Sequence, residues 1–294
     1  MKKALLLILL VASVIALNAQ NDTTKYGVVI PKGFTAQIDV VYDKVGDWEG
    51  KVDIYLPPNT GKPTPILINI HGGGWNHGNK EKQKGFGSFF KNKMAVANMG
   101  YRLVDVAPAP AAIEDVRSVL AYLVKNAKEL NIDVNKIVVM GGSAGGHLAM
   151  MGGYLGDNIL FDQNRKDLKD LKVAAVIDKY GIADMVDFSV GPKPYKSAVR
   201  WIGKKIDNVA FIRSVSPLYH INKNTPPTFI VHGDADPIVP YSQSVELKKK
   251  LDEFGVKNIF ITVEGGEHGK FPQEKQREIS RSIISFLKKV KVIE

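Results

Sequence analysis

The feature that most constrains this chain is a short apolar run that drives straight into a glycine-flanked serine. Ile137 to Met140 has the β-branched character of a strand. Gly141-Gly142-Ser143-Ala144-Gly145 follows at once, and helix formers take over from His147 through Met151. A serine held between strand and helix sits at the tip of a sharp turn in a strained backbone conformation. Small neighbours two positions to either side leave room for such a turn. The first N–H groups of the following helix face back toward the serine and favour negative charge there. A serine in a glycine-rich turn can also do no more than cap its helix. The strand before it and the helix after it favour the other role, a nucleophile at Ser143.

The remaining pattern predicts the sheet that such a turn needs. Ala36 to Tyr42 and Lys51 to Leu56 alternate apolar and polar residues, with turn residues from Asp47 to Gly50, so they form an antiparallel pair. Ile66 to Ile70 is a near-continuous apolar run, as a strand buried on both faces requires. Further strands are expected near Met94 to Asn98, Val173 to Ile177, Thr228 to Val231 and Ile259 to Val263. Helices are expected over Ala111 to Leu130, Ser242 to Phe254 and Gln273 to Lys289. Alternating strands and helices imply crossover connections: an α/β fold with a mostly parallel sheet, an antiparallel N-terminal edge and helices on both faces. One catalytic domain over residues 20–294 is the simplest account. The stretch 182–224, rich in Pro, Tyr and Trp, is expected above the strand C-termini as a partial lid or pocket wall.

A serine hydroxyl needs a base to take its proton, and the base needs an acid to hold its tautomer. On a sheet of this kind the chain order is serine, acid, histidine. Of six histidines, His71 and His77 precede Ser143, and His147 lies one helical turn beyond it, with its ring directed away. His220 precedes the Thr228 strand and His232 ends it, where a structural hydrogen bond is the ordinary role. His268, in the flexible turn Glu264-Gly265-Gly266-Glu267-His268-Gly269, remains as the base. The acid must fall between Val231 and His268. Asp236 is preferred because Pro237 stiffens the turn behind it, and Asp234 is the alternative, its ordinary role being an Asx-type turn cap. Donors for an oxyanion are expected from the N–H groups of Gly73 and Gly74, in His71-Gly72-Gly73-Gly74-Trp75 after a buried strand, and of Ala144.

Four motifs in order, His71-Gly-Gly-Gly-Trp75 closing with Gly78, Gly141-Gly-Ser-Ala-Gly-Gly146, His232-Gly-Asp-Ala-Asp-Pro-Ile-Val239 and Glu267-His-Gly269, resemble an α/β-hydrolase of the HGGG, hormone-sensitive-lipase-like, esterase group. Together with Tyr101-Arg102-Leu103 they most resemble bacterial acetyl-esterase and feruloyl-esterase-like members. The resemblance spans about residues 35 to 290. It implies a triad of Ser143, Asp236 and His268, oxyanion donors at Gly73, Gly74 and Ala144, and no cofactor. Relatives with a large cap carry a longer segment ahead of the first motif, so a minimal cap over an open pocket is expected here. Many relatives place an aspartate just before Tyr-Arg-Leu, where this chain has Met99-Gly100. Trp75, Tyr195 and Trp201 are candidates to line an acyl or sugar pocket, although buried aromatics are more often core.

Met1-Lys2-Lys3, an apolar stretch from Ala4 to Leu17 and the small Ala19 read as a secretory signal over residues 1–19. The apolar stretch is short for a bilayer span, so no stable membrane insertion is expected after cleavage. There is no cysteine, hence no lipid-attachment site or disulfide. The net charge of +10 becomes +8 without Lys2 and Lys3. Scattered lysines without an Arg-rich run argue against a nucleic-acid partner. His71 and His77 make only a weak case for a metal, having no carboxylate beside them in sequence.

The expected activity is therefore that of an exported serine carboxylesterase acting through an acyl-enzyme on short or aromatic acyl esters, acetyl or feruloyl groups on plant polysaccharide among them. A serine peptidase of the prolyl-oligopeptidase type is the alternative, with the same triad order but no propeller-sized domain here. A non-catalytic hydrolase-fold binding protein is a third, although such proteins usually lack a member of the triad.

Overall fold

Strands form where the apolar runs and alternations place them, and their order brings the Gly-rich turns to one edge. The computed structural model describes residues 22–162 and 171–294; the expected signal, residues 1–19, lies outside the described residues. A small antiparallel ribbon of β1 (Asp22–Thr23) and β2 (Val29–Ile30) precedes the main sheet. The main strands are β3 (Thr35–Val45), β4 (Trp48–Leu56), β5 (Thr64–Ile70), β6 (Ala95–Met99), β7 (Ile132–Gly142), β8 (Ala175–Lys179), β9 (Thr228–Gly233) and β10 (Asn258–Val263). They lie in the order β10-β9-β8-β7-β5-β6-β4-β3. From β6 to β10 all neighbours are parallel, while β3 and β4 form the antiparallel edge.

The helices are α1 (Gly87–Lys91), α2 (Ala111–Lys125), α3 (Ala127–Leu130), α4 (Ala144–Tyr154), α5 (Met185–Val190), α6 (Lys196–Ile202), α7 (Val209–Ser214), α8 (Ser242–Glu253) and α9 (Gln273–Lys289). One face of the sheet packs on α2, α4 and α8 through Val116, Leu148 and Leu247. The other packs on α1 and α9 through Phe89, Phe90, Ile283 and Phe286. Helix α4, directly behind the serine, is buried along its whole length.

Two expectations need correction. The β3–β4 turn is Gly46-Asp47, with Gly46 at φ +57°, rather than Asp47 to Gly50. Trp48 extends the strand because its ring packs edge-on against Tyr42, with centroids 6.2 Å apart. The helix expected over Ala111 to Leu130 divides at Asn126. Its side-chain amide donates to the Tyr122 carbonyl at 2.8 Å, competing with the helical ladder. Helix α2 is tied to the loop after β6 by Arg102, whose Nε donates to Asp115 at 2.8 Å and whose guanidinium also reaches Glu114. Among the described residues no helix is long and apolar enough to cross a membrane.

Candidate active site

The turn after β7 has the strain its sequence predicts. Ser143 stands at φ +57° and ψ −127°, a region that non-glycine residues rarely occupy. A Cβ at position 141 would lie 2.1 Å from the Gly145 carbonyl oxygen, and one at position 145 would lie 2.3 Å from that of Ile70. Both glycines are therefore required by close backbone approach. The Ser143 N–H donates to Lys179 O at 2.9 Å, pinning the turn to the end of β8. Helix α4 begins at the next residue and aims its N-terminal N–H groups, Ala144 first, at the turn.

The histidine and the acid arrive on the loops after β10 and β9. His268 Nδ1 is 2.7 Å from Asp236 Oδ2. An ionised carboxylate only accepts, so Nδ1 carries the proton and Nε2 keeps a lone pair. The Asp236 side chain is fully buried. It accepts also from His232 Nε2 at 3.2 Å and from the Ile238 and Val239 N–H groups at 2.8 and 3.0 Å. Burial pushes the Asp236 carboxyl up, but these four donors together hold it well below the usual carboxylate range. His232 is fixed in turn: its Nε2 faces Asp236 and the Val239 carbonyl, both acceptors, so its Nδ1 accepts from Ser244 Oγ at 2.7 Å. Asp234 points elsewhere and takes the Gly265 N–H at 2.7 Å, joining the β9 loop to the loop that carries His268.

Ser143 and His268 line one cleft of about 500 Å³ at the C-terminal edge of the sheet. Gly73 and Gly74 line it as well, and among the described residues neither donates its N–H to another backbone carbonyl. The two backbones, at φ +113° and +55°, turn under a bond from the His77 N–H to the Gly73 carbonyl. From the 182–224 stretch, Ile182, Phe188 and Ser197 reach the wall of the cleft.

Of the aromatic candidates, Trp75 is among the residues that line the cleft, and Trp201 and Tyr195 are not. Trp75 and Trp201 are fully buried and stack on each other, centroids 4.8 Å apart. Trp75 Nε1 donates to His147 Nδ1 at 3.3 Å, and His147 Nε2 in turn donates to the Val215 carbonyl at 2.8 Å. Burial lowers the pKa of this imidazole to about 4 and keeps it neutral. The three rings pack together as core behind the glycine loop 72–74. Tyr195 stacks face to face on Phe188 at 4.1 Å, and Phe188 is the ring that reaches the cleft.

Sequence reasoning passed over Tyr180 and Lys179. Tyr180 packs edge-on against His268, with centroids 4.8 Å apart, and lines the cleft. Its φ of +46° is a second strained backbone at this edge. The only signal was position, a tyrosine and a glycine directly after a buried strand. Among the described residues no three His, Cys, Asp or Glu side chains are grouped to hold a metal ion. The His71 ring stacks on Tyr101 at 4.2 Å, with Nδ1 2.7 Å from its neighbour's carbonyl at Gly72.

Comparisons with known proteins agree with this architecture. The BD-FAE family model matches residues 52–251, well over half of the chain. Esterase LipQ of Mycobacterium tuberculosis is 25% identical over 269 residues, 86% of this chain and 62% of its own length. Esterase LipC of the same organism is 27% identical over 219 residues, 71% of this chain and 53% of its own. The chain thus spans less than two thirds of these curated relatives. Among solved structures, a truncated carbohydrate esterase from gut microbiota is 28% identical with a TM-score of 0.73, covering 86% of this chain and 96% of that one. The propionate-bound esterase Est2 of Thermogutta terrifontis shares the fold, with a TM-score of 0.75 at 23% identity over 88% of this chain and 95% of that one.

Proposed function

The chain belongs to the BD-FAE family of α/β-hydrolase esterases, and from that premise we propose that it is an exported serine carboxylesterase. The observation that carries the reading is the 2.7 Å bond from His268 Nδ1 to the four-donor carboxylate of Asp236, in the cleft that also holds the strained Ser143. His268 Nε2 takes the Ser143 hydroxyl proton as Oγ attacks the ester carbonyl. The tetrahedral oxyanion is met by the N–H groups of Gly73, Gly74 and Ala144. Collapse expels the alcohol, which receives the proton from His268, and leaves Ser143 acylated. Water activated by the same imidazole then releases the acid. Asp236 stays ionised throughout and stabilises the imidazolium.

The substrate class in this reading is an acetyl or feruloyl ester on plant polysaccharide. Its support is likeness to a solved carbohydrate esterase and a cleft at the sheet edge walled by the 182–224 stretch, which acts as a partial lid. Export rests on residues 1–19 of the sequence. The experiment is acid release by the mature protein from 4-nitrophenyl acetate and longer acyl esters, acetylated xylan and methyl ferulate, beside Ser143→Ala. Turnover that falls about 10⁵-fold in the variant is expected. Equal rates for wild type and variant on every ester, with cleavage of a proline peptide, would replace the reading by a peptidase.

A further inference from the structure

The mechanism leaves unused one wall of the cleft, on the α1/α9 side of the serine turn. Side chains alternate along strands, so Asn69 shares a face with Leu67 on β5, and Lys179 shares one with Ala175 and Ile177 on β8. Both faces belong to the layer beneath α1 and α9. Register sets Asn69 beside Met140 and Lys179 beside Gly142. The two residues therefore flank β7 just before Ser143, two strand spacings apart across the sheet and two residues apart along it, about 12 Å in all. Gln83, on the loop after Asn79-Lys80, adds a third polar side chain, and all three line the cleft with Ser143 and His268.

This wall carries charge without a partner. No aspartate or glutamate is among the residues lining the cleft. Lys179 is half-buried, and burial alone acts on its ammonium, lowering its pKa with no carboxylate to offset the effect. A cation held partly out of water is unfavourable until an anion pairs with it. Asn69 is already oriented for such an anion: one N–H of its amide goes to Asn98 Oδ1 at 3.0 Å, and Asn98 is held by the Lys80 carbonyl at 2.8 Å. The second N–H of Asn69 and the amide of Gln83 take no partner among the described residues.

We propose that Lys179, with Asn69 and Gln83, forms a subsite for a carboxylate carried by the substrate, so that the enzyme prefers esters bearing a negative charge near the scissile bond. The inference rests on the esterase reading above and names a substrate class within it. An ammonium and two amide donors suit the two oxygens of a carboxylate, whether it belongs to the sugar or to the acyl group.

Two matched pairs separate these sources. On the alcohol side, an O-acetylated methyl glucuronoside is compared with the corresponding O-acetylated methyl glucoside. On the acyl side, the mono-4-nitrophenyl ester of adipic acid is compared with 4-nitrophenyl hexanoate. The wild-type protein is expected to favour the charged member of one pair by about tenfold in kcat/KM, with the preference shrinking as sodium chloride is raised. Lys179→Met is expected to reduce that ratio to about one, and Lys179→Arg to keep most of it. A wild type that shows no preference in either pair, or a preference that survives in Lys179→Met, overturns the subsite. The wild-type arm decides even if the variants fold poorly. Failure to hydrolyse any of the four esters would instead overturn the esterase reading itself.

Discussion

Two buried carboxylates at the same edge of the sheet have opposite fates. Asp236, on the loop after β9, collects four donors: two histidine rings and two backbone N–H groups. Asp178, the penultimate residue of β8, is the more deeply buried residue but takes one, the Gly181 N–H at 3.0 Å, and its Oδ2 has no partner. Burial pushes the Asp178 carboxyl up to about 7, whereas the donors around Asp236 hold it below the usual range. Burial raises both carboxyls, and more so Asp178, so it acts in the same direction at each. What reverses the direction at Asp236 is its set of aligned donors. His268 is hydrogen-bonded to the carboxylate kept ionised, and the carboxylate left nearly alone stands beside the first turn of α4, where a Cβ at position 146 would meet it at 2.4 Å.

The largest expected effect breaks the comparison on its charged side. Asp236→Asn replaces a full charge with an amide whose N–H can drive the His268 ring to the wrong tautomer. kcat on 4-nitrophenyl acetate is expected to fall by roughly 10³- to 10⁴-fold with secondary structure retained. A loss under tenfold would remove Asp236 from the triad.

Next comes the neutral side. The Asp178 pKa in the folded chain, about 7, stands above the ordinary value of 3.8. The folded state therefore binds the extra proton between about pH 4 and pH 7, and stability is lost as pH rises through that window. Asp178→Asn removes this loss and is expected to stabilise the protein at pH 8 by an amount on the order of a few kcal/mol, with little gain near pH 4. Denaturant midpoints at pH 4.5 and pH 8 check it; equal shifts at the two values would mean that Asp178 is ionised in the fold.

A smaller effect sharpens how the charge at Asp236 is held. His232 is a positioning residue, buried between Asp236 and Ser244. His232→Phe removes one donor and is expected to lower kcat roughly tenfold with KM nearly constant. His232→Gln, which keeps an N–H at similar reach, is expected to recover most of it. Equal losses in both variants, or a parallel rise in KM, would leave His232 a packing role only.

How far the sequence announced this arrangement depended on the range of the interactions. The serine turn was legible because its cause is local: Gly141 and Gly145 stand where a Cβ would strike backbone within four residues or on the neighbouring strand. The parallel sheet was legible for a similar reason, since near-continuous apolar runs such as Ile66 to Ile70 suit strands covered on both faces. The aromatic rings were not. Trp75 and Trp201 are 126 positions apart in sequence, and nothing near either residue encodes that they stack on each other and meet His147 edge-on. Lys179 lay between these cases. A cation ending the run Val176-Ile177-Asp178 was visible, but its face follows only once the strand is known to begin at Ala175.

The smallest prediction concerns the two aspartates that sequence reasoning left side by side. Asp234 and Asp236 share one turn, yet only Asp236 reaches His268, because Asp234 is exposed and engaged with the Gly265 N–H at 2.7 Å. That bond joins the loop of Asp236 to the loop of His268 without touching either side chain. Asp234→Ala therefore loses one hydrogen bond at the surface, about 1 kcal/mol of stability. Its effect on kcat is expected to stay within about fivefold, as the loop bearing His268 loosens by one tether while the bond from His268 to Asp236 survives. Measured beside Asp236→Asn under the same conditions, it makes a contrast of two to three orders of magnitude between residues two positions apart. A collapse of kcat in Asp234→Ala to the level of Asp236→Asn would mean that the acid function lies with Asp234 during turnover.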